Sequence, residues 1–413
     1  LVLTAFHFLQ TKEFPKPTRF ILPILVILVS VLLLFFSTPL RLQLPAVVSP
    51  GYGLSLDIAT SVFSEGPVRA LFGSGPGTFA FDYAKYKPIE VNQTMFWNVQ
   101  FDRGKSYALS ALATLGILGF AAWLLMVLAT LLKSVANLVR KQSSEEWKMT
   151  YVFFVGWVVV AFSHLIYSSN ITMQFLFWAL MGILASQLMT KTRTTNFKES
   201  PRLALVFSFA FVLVGVGVLA SVFVSGQRYA SEIAFAKAVE LDRSGAPIEE
   251  VIQQIGKATS SQIGSQSDIY YRNLSSAFLA QARQTLASIP AEELSNEQLQ
   301  IVQAMVGSSI NASVRATQLS PNDVNSWSVN GSIYRDVMNF VTNAEDFAAA
   351  TYERAITLEP LNPAHHTNLG RVHLAVANRA RTLKAAEDAE LAKTAAEAEV
   401  ASLSNAETAF KNA

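Results

Sequence analysis

Four long uncharged blocks, separated by polar and basic stretches, dominate the pattern of this chain. A helix needs roughly 20 apolar residues to cross the hydrocarbon core, so residues 20–40, 106–132 and 203–225 each suit one crossing. The block 149–190 is too long for one span. It breaks at the polar Ser168-Ser169-Asn170 and gives two helices, about 149–167 and 171–190. The pattern therefore predicts five membrane helices in an all-α, polytopic membrane protein. Residues 1–9 read as the last turns of another apolar helix without the basic region of a signal peptide, so the natural chain is expected to start earlier.

Basic residues set the direction. Lys12, Lys16 and Arg19 precede the first helix, Lys133, Arg140, Lys141 and Lys148 follow the second, and Lys191, Arg193, Lys198 and Arg202 lie between the fourth and fifth. All three clusters share one side if the helices alternate, and the positive-inside rule makes that side cytoplasmic. Residues 41–105, the turn at Asn170 and residues 226–413 then face outward. Composition agrees with a membrane class: 51% of residues are hydrophobic, 15% are charged, and mean hydropathy is +0.33. The absence of cysteine excludes disulfides, thiolate metal sites and cysteine nucleophiles. A net charge of +2 is uninformative as a total, and no nucleic acid is expected as a partner.

The outward C-terminal part repeats itself. Ala316, Leu319, Pro321, Trp327, Gly331 and Tyr334 recur as Ala355, Leu358, Pro360, His366, Gly370 and His373, every pair offset by 39 residues. The pattern resembles the tetratricopeptide repeat, in which paired helices set small residues against bulky ones; that family's usual interval is about 34. Residues 406–413 look like the start of another second helix, residues 382–402 like a solvated helix or helical insertion, and residues 227–310 like degenerate repeats. Such arrays ordinarily bind partner proteins rather than catalyse. His365 and His366 suggest metal ligands, but adjacent turn residues seldom converge and no further ligand completes a set, so solvated turn residues are expected. Asn92-Gln93-Thr94 and Asn330-Gly331-Ser332 fit the glycosylation acceptor pattern, a short motif that carries little weight by itself.

Chemistry is expected in the outer loop. Gly73, Gly75 and Gly77 alternate around Pro76, suiting a tight turn or a close backbone approach to a ligand. No Gly-Lys-Ser/Thr follows, so this is not a phosphate-binding P-loop. Aromatic and basic residues come next, including Phe79, Phe81, Tyr83, Lys85, Tyr86, Lys87, Phe96, Trp97, Phe101, Arg103 and Lys105. Rings stack on sugar faces while Arg and Lys neutralise phosphates, which suits a sugar diphosphate. An interfacial belt anchoring the loop at headgroup level fits the same composition. Within the membrane, His164 is the one ionisable residue of the block 149–190; its place near the outer end favours a structural hydrogen bond over a functional role.

The glycine turn, the aromatic loop, the helix opening Thr114-Leu115-Gly116-Ile117-Leu118-Gly119, and His164-Leu165-Ile166-Tyr167 before Phe177-Trp178 together resemble the C-terminal half of the bacterial O-antigen ligase and polymerase superfamily, over residues 20–190. The resemblance implies a glycosyltransferase of the bacterial cytoplasmic membrane that moves a glycan from a polyprenyl diphosphate carrier to an acceptor hydroxyl at the outer face. No metal, other cofactor or soluble nucleotide sugar is implied. Protein partners would meet the repeats, and membrane lipid the helices.

The family places a His-Asn pair before the Leu-Gly-x-x-Gly helix, where this chain has Lys105-Ser106. Its arginine before the glycine turn also lacks a clear match, although Arg69 lies close. Three readings stay open: Lys105 is the base, with a lowered pKa; Arg103 and Lys105 hold phosphate while Asp102 is the base; or catalysis has drifted and a binding protein remains. Arg69, Gly73, Gly75, Gly77, Tyr83, Lys85, Lys87 and Trp97 are the expected substrate contacts. A non-enzymatic scaffold recruiting envelope proteins through the repeats is the rival function. A transporter is disfavoured by the scarcity of intramembrane charge and of paired inverted halves.

Overall fold

Among the described residues the apolar blocks fold as helices, and little else is present. The computed structural model describes residues 24–25, 28–29, 48–140, 145–188, 201–289, 295–383 and 389–413. The predicted first span, residues 1–9 and the basic residues at 191–198 therefore lie outside the described residues, apart from two short helical pieces. Among the described residues there are fourteen α-helices and no strand. We number them α1 (Tyr52–Ser64), α2 (Pro67–Phe72), α3 (Phe79–Tyr86), α4 (Tyr107–Arg140), α5 (Glu145–Ile166), α6 (Ile171–Leu188), α7 (Pro201–Arg243), α8 (Ile248–Thr259), α9 (Asp268–Ser288), α10 (Asn296–Leu319), α11 (Val324–Asp336), α12 (Ala344–Leu358), α13 (Pro363–Leu383) and α14 (Ala389–Lys411). Four of them, α4 to α7, are long and apolar enough to cross a bilayer. The protein is an α-helical membrane protein.

The chain divides into two compact units. The first comprises the described residues up to Ala59, Gly66–Gly73 and those of Arg103–Thr192. Its core lies where α4, α5 and α6 meet: Trp157, Ala161, Phe177 and Leu184 are buried against Met126, Val127, Leu131 and Leu180. Thr150 donates to Gln187 at 2.6 Å, a polar link between α5 and α6 of the kind that orients helices where water is scarce. Helix α4 is broken at Gly116, whose φ of 67° and ψ of −173° interrupt the helical ladder.

The second unit comprises Thr60–Glu65, Ser74–Asp102 and the described residues from Arg193 onward. Helix α7 has 43 residues, roughly 65 Å of helix. Its apolar half leaves side chains such as Phe209 and Phe211 exposed on all sides, as lipid contact requires, while its last turns bury Ala238 against α8 and α9. Helices α9 to α14 then each pack on the next. The core shared by α9 to α13 includes Leu279, Val302, Ile333, Ala348, Tyr352 and Val372.

The 39-residue periodicity has an atomic counterpart. Trp327 Nε1 donates to the Pro321 carbonyl at 2.9 Å, and His366 Nε2 meets the Pro360 carbonyl at the same 2.9 Å. Asp323 Oδ1 accepts from the Asn325 amide and Asn362 Oδ1 from the Ala364 amide, capping α11 and α13 alike. A Cβ on Gly331 would lie 2.9 Å from the Tyr352 ring, and one on Gly370 would lie 2.7 Å from the Phe410 ring. Both glycines let a bulky ring from the following helix sit on the backbone.

Two expectations are corrected here. His365 and His366 stand in the first turn of α13, not in a solvated turn, and His365 is buried. Residues 389–402 of the Ala/Glu/Lys-rich segment are helical, as part of α14, which packs on α13 and buries Ala395, Ala406 and Ala409; residues 406–411 close that helix rather than opening a new one. Asn330 is also buried, accepting from Ser313 at 2.9 Å, which removes it as a glycosylation acceptor in the folded chain.

Candidate functional site

In the first unit, the glycine turn and the break in α4 meet. A Cβ on Gly73 would fall 2.4–2.6 Å from backbone atoms of Thr114 and Gly116, and one on Gly116 would fall 2.4–2.6 Å from backbone atoms of Gly73 and Leu71. Both residues have positive φ, 73° and 67°, so only glycine satisfies the conformation and the spacing together. What Gly73 approaches so closely is the backbone of α4. Arg69 reaches back along the same turn, its Nη1 lying 3.5 Å from the Gly73 carbonyl.

Three segments remote in sequence converge at one end of the α4–α6 bundle. The Lys105 amide donates to Ser55 Oγ at 2.9 Å, its ammonium lies 3.4 Å from Ser49 Oγ, and it stands 6.0 Å from the centre of the Tyr52 ring. The Tyr52 hydroxyl donates to the Ile166 carbonyl at 2.6 Å. The Tyr107 amide donates to the Tyr167 carbonyl at 3.1 Å, and Arg103 Nη1 to the Ser169 carbonyl at 3.4 Å. Among the described residues, no carboxylate pairs with Lys105. Its charge is half-buried and meets a hydroxyl and a ring face, neither of which neutralises it.

His164 supports this end of the bundle. It is 1% exposed; Nδ1 donates to the Val160 carbonyl at 2.7 Å and Nε2 lies 3.3 Å from Ser169 Oγ. The Tyr107 ring meets the imidazole edge-on at 4.9 Å and Phe177 packs on it at 5.0 Å. Both nitrogens thus have partners and two rings pack against the imidazole, which fits a group that orients the 168–170 turn.

In the second unit the expected substrate contacts serve the fold. Ser74 donates to Asp82 at 2.5 Å and lies 2.6 Å from Thr78 Oγ1, so the turn containing Gly75 (φ 120°) and Gly77 (φ 78°) is pinned to the start of α3. Lys85 pairs with Glu65 at 2.8 Å, and Tyr86 also bonds Glu65. Tyr83 is buried edge-on to Phe101 at 5.2 Å; burial, and then the charge of Glu359, push its hydroxyl up to about 12. Lys87 is 1% exposed. Its ammonium lies 2.6 Å from Glu359 and donates to the Trp97 carbonyl at 2.9 Å, so it has no charge to offer a diphosphate. Trp97 is partly exposed, and Asp102 is exposed.

Glu359 is the residue that sequence reasoning missed. Besides Lys87 it receives Asn362 Nδ2 at 2.8 Å and His365 Nε2 at 2.9 Å. Burial raises its carboxyl, but the bonds from His365, Lys87 and Asn362 and the Lys87 charge outweigh it and hold the group below the usual carboxylate range. A signal was present: the position equivalent to Glu359 in the preceding repeat is Ser320, and that of His365 is Ser326, so two charged or titratable groups replace two hydroxyls at one spot.

The architecture defines a helical membrane protein whose first unit holds, at one end of its bundle, a lysine that pairs with no carboxylate among the described residues. No protein-family model matches the chain, and comparison with curated proteins gives no significant match.

Proposed function

We propose that this protein is an O-antigen ligase-like glycan transferase of a bacterial cytoplasmic membrane, acting on a polyprenyl diphosphate-linked glycan at the outer face. The observation that carries the reading is Lys105: a half-buried ammonium, unpaired with any carboxylate among the described residues, set beside Arg103 where the chain enters α4. Cations so held are what a departing diphosphate needs, because they meet charge that develops only as the glycosyl bond breaks. The acceptor oxygen attacks the anomeric carbon, the bond to the diphosphate oxygen breaks, and the polyprenyl diphosphate leaves with the electron pair. Arg103 and Lys105 stabilise it, and the acceptor proton passes to Asp102. The meeting of the two glycine motifs at Gly73 and Gly116 adds support, since the resemblance rests on both.

The direction of the helices belongs to the same proposal. If the helices alternate, the basic clusters share one side, and the positive-inside rule then supports a loop before α4 and a region after Gln227 that face outward, where lipid-linked glycans are presented. The test uses the protein in proteoliposomes with a synthetic polyprenyl diphosphate-linked oligosaccharide, reading release of polyprenyl diphosphate. Lys105→Met and Arg103→Met should each lower turnover by about 100-fold, the size typical of losing one transition-state donor. Unchanged turnover in both overturns the assignment.

A second reading has one observation in its favour. Tyr83, Lys85 and Lys87 are all engaged within the second unit, which supports a reading in which this stretch serves a partner-binding array. This scaffold reading gains if alanine at Asp102, Arg103 and Lys105 together leaves glycan transfer intact while deletion after Gln227 abolishes the cellular phenotype.

A further inference from the structure

The core of the second unit is not filled everywhere. A cavity of about 420 Å³ opens between α9, α10 and the end of α11 with the residues after it. Leu279, Val302, Val306 and Val337 line it and are themselves buried core residues, while Phe340, which also lines it, is 68% exposed. Protein interiors seldom leave voids larger than a water molecule, and this volume falls in the range of small-molecule sites. Gly307 keeps part of the space open. It lies in the interior of α10, and a Cβ placed on it would meet nothing within 4 Å. Alanine would fit there and favour the helix, so α10 forgoes stability at a point where a side chain would narrow the cavity.

The polar part of the lining is Gln303, Arg283 and Asp336. Arg283 Nη2 lies 2.6 Å from Asp336 Oδ2, while Arg335 Nε and Nη2 donate to Asp336 Oδ1 at 3.0 and 2.9 Å. Two guanidiniums therefore share one carboxylate, and neither pairs with a second among the described residues. The Arg283 side chain is 58% exposed, which leaves its other N–H groups accessible.

We propose that this cavity binds a single-chain amphiphile with an anionic head, its apolar chain against the α9 and α10 wall and its head at Arg283. Charge complementarity selects the head: the one carboxylate of the lining already meets two guanidiniums, so a net positive charge stands beside the cavity and an entering anion completes the pairing. Depth selects the body. The wall residues belong to the buried core, where the face of a folded partner does not reach and a small apolar group does. The inference stands apart from the catalytic reading, because none of these side chains takes part in the proposed transfer.

A dodecanoate carrying a photoreactive diazirine on its chain tests this with the full chain in phosphatidylcholine nanodiscs, the labelled positions being read by peptide mass spectrometry. Within the second unit, labels should fall on the cavity-lining parts of α9, α10 and the residues after α11, separately from any on the membrane helices. Arg283→Gln should lower this labelling about tenfold, the loss that goes with one charge-assisted hydrogen bond. Gly307→Phe, which fills the cavity, should abolish it. Competition on the unaltered chain decides the matter even where a variant fails to fold: excess dodecanoate or dodecyl phosphate should remove the labels, and the stronger competitor identifies the head as carboxylate or phosphate. Equal competition by dodecanol overturns the anionic head. Labels confined to the membrane helices, or cavity labels unchanged in both variants, overturn the site.

Discussion

The ammonium of Lys87 lies 2.6 Å from the carboxylate of Glu359, and neither side chain is more than 3% exposed. This pair ties α3 and the segment after it to the end of α12, over an apolar patch formed by Ala84, Val324, Ala355, Trp327 and Leu358. Removing one member of a buried pair leaves the other charge without its counter-ion, a loss of about 3–5 kcal/mol. Lys87→Met should therefore lower the stability of the second unit by that order, while Lys87→Met with Glu359→Leu recovers much of the loss. Thermal unfolding in detergent, with hydrogen exchange over residues 79–101, reads both.

The same cluster predicts an acid response. The Glu359 carboxyl is held below its ordinary value of 4.5 in the folded protein. A depressed carboxyl contributes stability that is complete above the unfolded value and is lost as pH falls through the folded one. Protection of residues 79–101 should hold above pH 4.5 and decline below it. Glu359→Gln should flatten this dependence, read by hydrogen exchange across the acid range.

Glycine substitutions separate strain from collision. At Gly77 a side chain meets nothing within 4 Å, so Gly77→Ala carries only the cost of its φ of 78°, about 1–2 kcal/mol. At Gly73 and Gly116 the added carbon collides with backbone as well. Gly73→Ala and Gly116→Ala should each cost more than about 4 kcal/mol, or leave no folded protein, on the scale of severe core substitutions. Expression and thermal stability of the three variants give the ranking.

Single cysteines in this cysteine-free chain read the orientation. Lys257→Cys, exposed on α8, should react with an impermeant maleimide in intact cells, and Lys198→Cys should react only after the membrane is opened. The opposite pattern would reverse the proposed orientation.

Much of the helical architecture was visible in the pattern, because uncharged runs of membrane length have few other ways to satisfy their backbone. The repeat was legible for a similar reason: Pro321 and Pro360 each end a helix and offer a carbonyl to the residue six positions on, so spacing and contact are tied. Harder to read was α4. Its apolar run carries no sign that Gly116 breaks the helix, since the cause is the backbone of Gly73, remote in sequence. The loop misled for a different reason. Lysines are seldom buried, so Lys85 and Lys87 read as surface cations awaiting a ligand, and the carboxylate that buries Lys87 lies at the far end of another repeat. Lys105 and Arg103, by contrast, lie at an end of the bundle shared with Ser55 and Ser169, a convergence that their positions in the sequence do not reveal.

The central claim is that Lys105 and Arg103 stabilise a departing polyprenyl diphosphate. Release of polyprenyl diphosphate from a synthetic lipid-linked oligosaccharide tests it most directly, comparing the unaltered chain with Lys105→Met and Lys105→Arg in proteoliposomes. The account predicts a loss of about 100-fold in Lys105→Met with substantial recovery in Lys105→Arg, because positive charge is what the position supplies. Equal turnover in all three, or no release by the unaltered chain, contradicts it.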